Sequence, residues 1–141
     1  MIDASVWVAA LLARDLHHRE ASRFLKLLVA DGTTVSAPAL ALPEVAGAIA
    51  RQTDDPGVAA RAVSFLRRQD WVHVAALDDA LAASAASLAA QQRLRGADAV
   101  YLALAIHDTT PLITLDAEML KRAPEGVRVF TPGGWLAQAQ G

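Results

Sequence analysis

Apolar and polar positions along this chain fall into two alternating periods. Residues 18–30 place Ala21, Phe24, Leu25 and Leu28 at helical spacing against a polar remainder, which predicts an amphipathic helix. Short apolar runs rich in β-branched or aromatic residues at 34–37, 71–74, 112–115 and 127–130 read as strands, and residues 1–4 as a short first strand. Between them, residues 5–13 predict a helix with Ser5 as its N-cap. A further helix opens at Pro38 or Pro43 and reaches about Gln52, since proline is tolerated in a first helical turn. Residues 58–68 and the Ala-rich stretch 77–94, closed by Gly96, are also helical in pattern. Residues 98–107 are apolar nearly all round, which predicts a central helix. A short helix is expected at 117–121. Asp31-Gly32 and Asp54-Asp55-Pro56-Gly57 are turn signals, and Gly133-Gly134 leads into a short amphipathic tail. Strands alternating with helices predict an α/β fold whose parallel sheet is covered on both faces. With 141 residues and no repeat or linker, the chain is expected to form one domain over residues 1–141.

Four acids break this pattern. Asp3, Glu44, Asp98 and Asp116 each stand alone in a stretch that otherwise reads as core. An ionised carboxylate in apolar surroundings is costly unless something pairs with it. Four of them suggest a shared countercharge, and a divalent ion is the simplest candidate. Ligands of open parallel sheets bind beyond the carboxyl ends of the strands. Asp3 ends the first predicted strand and Asp116 follows the strand at 112–115, so both belong on one edge. Glu44 and Asp98 lie early in their helices and are expected to begin near that edge. Crowded together without metal, some of the four should hold a proton above the usual pKa. With Mg²⁺ or Mn²⁺ they become the hard oxygen ligands those ions prefer. Such a site activates water for phosphate-ester hydrolysis and needs no side-chain nucleophile.

Composition narrows the picture. Hydrophobic residues make up 54% and charged residues 20%, so the chain is globular. No run is apolar enough for a membrane span and no signal-peptide pattern opens the sequence. There is no cysteine, which excludes disulfides, thiolate zinc sites and cysteine nucleophiles, and fits a reducing cytoplasm. A net charge of −2 argues against gripping nucleic acid through bulk positive charge. A polyanion must instead meet local arginines, of which Arg51 and Arg95 are the candidates nearest the acidic rim.

Asp3-Ala4-Ser5 before an apolar helix, Ala37-Pro38 with Pro43-Glu44-Val45, the run from Arg95-Gly96-Ala97-Asp98 through Ala105, and Leu112-Ile113-Thr114-Leu115-Asp116 together resemble the PIN-domain nucleases. They look most like the VapC toxins of toxin–antitoxin pairs, and the resemblance runs over nearly the whole chain. It implies a five-stranded parallel sheet flanked by helices, usually as a homodimer. It implies endonucleolytic cleavage of RNA, with Asp3, Glu44, Asp98 and Asp116 holding one or two Mg²⁺ or Mn²⁺ ions and Ser5 and Thr114 supporting them. It also implies an antitoxin partner and a cytoplasmic location. One departure is the short lead: only Met1 and Ile2 precede Asp3, so either the first strand is short or the true start lies upstream.

Other readings of the same residues stay open. Asp116 could cap the helix at 117–121, Asp98 could cap its helix after Gly96, Glu44 could be a first-turn dipole partner, and Asp3 could be a solvated terminal residue. His17 and His18 are adjacent and point to different helix faces, so they are expected to be structural, like His73 and His107. Trp7, Trp71 and Trp135 are expected to pack rather than stack bases. Two other functions compete: an inactive PIN module that binds RNA or a protein, and a phosphotransfer domain. The second wants Asp-x-Asp after the first strand, and Ser5 stands in place of the second aspartate.

Overall fold

A computed structural model describes residues 1–139. The chain runs α1 (Ala4–Leu11), α2 (His18–Ala30), β1 (Val35–Pro38), α3 (Ala41–Thr53), α4 (Pro56–Arg67), β2 (Val72–Ala75), α5 (Asp79–Gln92), α6 (Gly96–His107), β3 (Leu112–Ile113), α7 (Ala117–Arg122), β4 (Val129–Phe130) and α8 (Pro132–Ala139). β1 pairs in parallel with β2, and β3 in parallel with β4.

The N-terminal residues join these two ladders. The Ile2 N–H donates to Ser36 O at 3.0 Å, and Ile2 bridges Ile113 in parallel through Asp3 N–H to Ile113 O and Ile113 N–H to Met1 O. The spatial order is therefore β2, β1, the N-terminal segment, β3, β4, in the α/β manner expected, although the ladders are two short parallel pairs joined by the Ile2 bridge and one hydrogen bond to β1. The middle member is a single bridge residue rather than the four-residue strand predicted, because Asp3 is the N-cap residue of α1 and the backbone turns helical at Ala4. β3 and β4 are likewise cut to two residues each.

α6 packs on β1 and β3, the two strands beside the N-terminal segment, with α5 against it. Its run from Asp98 to Ala105 is buried throughout, as a helix apolar all round must be. A second helical group links α1 to α2 and α3, α3 to α4, and α2 to α8. Trp7 is buried in α1 and packs on Trp71 with ring centroids 5.7 Å apart; Phe130 meets Trp135 edge-on at the same separation. All three tryptophans thus have packing partners, as expected.

Several boundaries differ from the sequence reading for local reasons. The turn expected at 54–57 is tighter: Asp54 ends α3 in the left-handed conformation (φ 54°), and the Asp55 side chain caps α4 by accepting from Gly57 N and Val58 N. Proline therefore enters the first turn of α4. α5 ends at Arg93, left-handed at φ 55°, and Gly96 opens α6 instead of closing α5. The tail after Gly133 is helical through Ala139; residues 140 and 141 lie outside the described residues. Among the described residues no helix is long and apolar enough to cross a membrane.

Candidate active site

The strand order reverses direction at the N-terminal segment, with β1 and β2 on one side of it and β3 and β4 on the other. A cleft of about 570 Å³ opens beside Asp3 at this switch point, where parallel sheets bind their ligands. Asp3, Glu44, Asp98 and Asp116 all line it. They arrive on four segments: the end of the bridge strand, the first turn of α3, the first turn of α6, and the loop leaving β3.

Each acid has its own support. Asp3 is 6% exposed, and its Oδ2 accepts from Ser5 Oγ at 2.5 Å and Thr114 Oγ1 at 2.8 Å. Ser5 is not the N-cap predicted: Asp3 holds that position, which leaves the Ser5 hydroxyl free to donate to Asp3 and to accept from Leu115 N at 3.0 Å. Thr114 is fully buried, and its hydroxyl also accepts from Asp116 N at 3.0 Å. Glu44 is half-buried, and its Oε2 accepts from the buried Tyr101 hydroxyl at 2.5 Å. Asp98 is 7% exposed; Arg95, not Asp98, is the N-cap residue of α6. Asp116 does cap α7, its Oδ1 accepting from Glu118 N and Met119 N, so the capping reading and the cleft position hold together.

One guanidinium joins two of the four. Arg95 Nε donates to Asp98 Oδ2 at 2.8 Å and Nη2 to Asp116 Oδ2 at 2.7 Å. Arg51 lines the same cleft, as does His17, whereas His18 is turned away and its Nδ1 lies 2.9 Å from Ala9 O. His73 and His107 lie together beside a separate pocket, with His107 paired to Asp108.

Burial pushes the Asp3 carboxyl up, against the opposing pull of the Ser5 and Thr114 hydroxyls. Burial also raises Glu44; the Tyr101 hydroxyl opposes this, and the charges of Asp3 and Asp98 add to it. Tyr101 itself is driven far up by burial and by its bond to Glu44. A carboxyl whose folded pKa exceeds its unfolded value contributes stability that is complete below the unfolded value, about 4, and is lost as pH rises through the folded value. In EDTA, Asp3→Asn is therefore expected to gain in melting temperature on the wild type as pH rises from 4 toward 8. Parallel melting curves across that range would show that Asp3 is ionised without penalty.

The PIN domain family model matches residues 1–125. The chain belongs to the PIN domain family. Solved structures resemble this PIN domain along most of its length. One is the sarcin–ricin-loop-cleaving toxin VapC20 of Mycobacterium tuberculosis, 21% identical over 90% of this chain and 97% of that one, with a TM-score of 0.74. A Pyrobaculum aerophilum protein is 18% identical over 99% of this chain and 88% of that one, at 0.68. FitAcB from Neisseria gonorrhoeae is 18% identical over 94% and 96%, at 0.67. At these identities the likeness shows the fold. No curated protein matches the sequence.

The donors in this PIN-domain cleft are carboxylate and hydroxyl oxygens, the set that Mg²⁺ and Mn²⁺ take, and a cation already sits between Asp98 and Asp116 in the form of Arg95. The chemistry of the donors fits a divalent ion. As placed, however, no three carboxylate, histidine or cysteine side chains among the described residues stand close enough to hold one, with Arg95, Tyr101 and the two hydroxyls as the acids' immediate partners. Tyr101 is the partner that sequence reasoning left without a role. It sits 57 positions from Glu44, and its one legible signal was a hydroxyl in an otherwise apolar buried helix.

Proposed function

We propose that this PIN domain, as a single unit over residues 1–141, is a metal-dependent endoribonuclease of the VapC toxin type. The observation that carries the proposal is the meeting of four acids from four chain segments in one cleft at the switch point of the sheet. The resemblance to VapC20, a toxin that cleaves the sarcin–ricin loop, supports RNA as substrate, and an antitoxin is the partner that a toxin of this type calls for. A homodimer acting in the cytoplasm fits the same reading.

Asp3, Glu44, Asp98 and Asp116 would hold Mg²⁺ or Mn²⁺, which supplies Lewis acidity and an activated water. The chain's own groups do the rest. Ser5 and Thr114 fix Asp3 Oδ2, so the carboxylate is presented in one orientation. Tyr101 fixes Glu44 Oε2 and leaves Oε1 to take up a proton from attacking water. Arg51 lines the cleft as a contact for a phosphate flanking the cut, with Arg95 as a second. Water adds to phosphorus and gives its proton to Glu44 Oε1, the bond from phosphorus to the 3′-oxygen breaks, the departing oxygen takes a proton from solvent water, and the products carry a 5′-phosphate and a 3′-hydroxyl.

The test is cleavage of a mixed RNA pool by the purified protein in Mg²⁺, Mn²⁺ or EDTA, followed by end-group analysis. Cleavage is expected with either metal, none in EDTA, and 5′-phosphate ends. Products ending in 2′,3′-cyclic phosphate would sink the mechanism, because they require attack by the 2′-hydroxyl. Tight RNA binding without cleavage under any condition would favour the second reading, an inactive module that binds RNA or a protein partner.

A further inference from the structure

Asp116 has two carboxylate oxygens, and both are engaged. Oδ1 accepts two backbone N–H groups at the start of α7, and Oδ2 accepts Arg95 Nη2 at 2.7 Å. The Asp98 Oδ2 is taken by Arg95 Nε at 2.8 Å. Among the described residues, no other basic side chain forms an ion pair with any of the four cleft acids. The α7 cap cannot be given up without freeing two N–H groups at a helix start. A metal ion drawing on Asp116 is therefore left with Oδ2, where it would stand directly beside the Arg95 guanidinium.

Arg95 is built to let go. Its side chain is 72% exposed, and among the described residues its guanidinium makes no hydrogen bond beyond these two carboxylates. Ion pairs at such exposure hold weakly and are screened by solvent. A guanidinium that stayed would stand against the ligands of a divalent cation and repel it.

We propose that Arg95 is a displaceable internal counter-cation: it clamps Asp98 and Asp116 together in the metal-free protein and withdraws when a divalent metal ion binds, so that the clamp sets the metal concentration at which the site fills. The inference rests on the proposed metal-dependent reading of the same cleft. Withdrawal also frees a planar, five-donor group at the cleft mouth, the geometry that recognises a phosphate. Metal loading and a phosphate contact are thereby coupled through one side chain.

The wild-type protein gives the direct test. In EDTA, the Arg95 Nε–H is expected to give a signal displaced from that of a solvated guanidinium in arginine-selective ¹H–¹⁵N spectra. Titration with Mg²⁺ should move it to the position of a solvated guanidinium. In parallel, Mn²⁺ binding is measured by electron paramagnetic resonance for wild type, Arg95→Ala, Arg95→Gln and Asp98→Asn. The two arginine variants should bind about five-fold tighter or more, the factor expected for loss of a partly exposed ion-paired clamp. Circular dichroism checks their folding, and the wild-type spectra stand if a variant fails it. Metal binding with an unmoved Arg95 signal, or arginine variants that bind no tighter than wild type, would overturn the clamp and leave the metal site intact. No Mn²⁺ binding by wild type and by either arginine variant would overturn both, and so would binding undiminished in Asp98→Asn.

Discussion

Asp98→Asn is expected to lower metal-dependent RNA cleavage by about 10³-fold or more while leaving the fold unchanged. The size follows from what a ligand carboxylate supports: stabilisation of transition-state charge by several kcal/mol, at a factor of ten for each ~1.4 kcal/mol. The neutrality toward folding follows from the local structure. Asparagine keeps the shape and still offers an oxygen to Arg95 Nε, so α6 loses no packing and no buried group is orphaned. The ion pair it loses has an exposed arginine as its other half, and such pairs contribute little to stability. Single-turnover cleavage beside a thermal melt separates the two effects. Retention of a tenth of the wild-type rate would remove Asp98 from the chemistry, whatever its position in the cleft.

The four acids were legible because each is a charge set alone among apolar neighbours, and that oddity survives in any window of sequence. Their meeting was legible because a parallel sheet with helical crossovers puts strand ends and the following helix starts on one edge. Of the partners that hold them, Ser5 and Thr114 came through the family resemblance alone, and Tyr101 had no role at all. Ser5 to Leu115 N and Thr114 to Asp3 span 110 and 111 positions, and no local rule links such residues. Ser5 looked like a cap because serine before an apolar helix usually is one; Asp3, two residues earlier, took that position instead. Helices were placed well where their period ran long: 18–30 matches α2 from end to end, and 77–94 overshoots α5 by two residues at each end. Strands suffered because alternation needs several residues to show. Ile2, β3 and β4 contribute one or two residues each before the chain turns into a loop or helix.

Hydroxyl groups hold two of the acids in this cleft and a guanidinium holds the other two. Asp3 and Glu44 lie under hydroxyl groups and are pushed toward the protonated form, whereas Asp98 and Asp116 are tied to a guanidinium. Four like charges in one small cavity are thus spread over two hydroxyl-supported sites and one cation-bridged pair. A bound metal would exchange both arrangements for one shared charge, and its positive charge would oppose the upward push that burial gives Asp3 and Glu44.

Thr114→Val is expected to destabilise the protein by about 2–4 kcal/mol, the largest effect on folding among substitutions in the site. Valine fills the same volume, so no cavity opens and the loss is that of the hydroxyl alone. That hydroxyl is fully buried and works in two directions, donating to Asp3 Oδ2 at 2.8 Å and accepting from Asp116 N at 3.0 Å. Its removal leaves Asp3 with Ser5 as its remaining side-chain donor and strips the Asp116 N–H of its partner. The bond to Asp3 is charge-assisted when the carboxyl is ionised, and weaker when it is protonated. Without Thr114 the folded Asp3 pKa rises further, so more stability is lost as pH climbs through it. The deficit of Thr114→Val should therefore be larger at pH 8 than at pH 5, in denaturant titrations carried out in EDTA. Thr114→Ser should recover most of it at both. A deficit independent of pH would mean that the hydroxyl serves the Asp116 N–H alone, and that the carboxyl buried beside it is already protonated across the range.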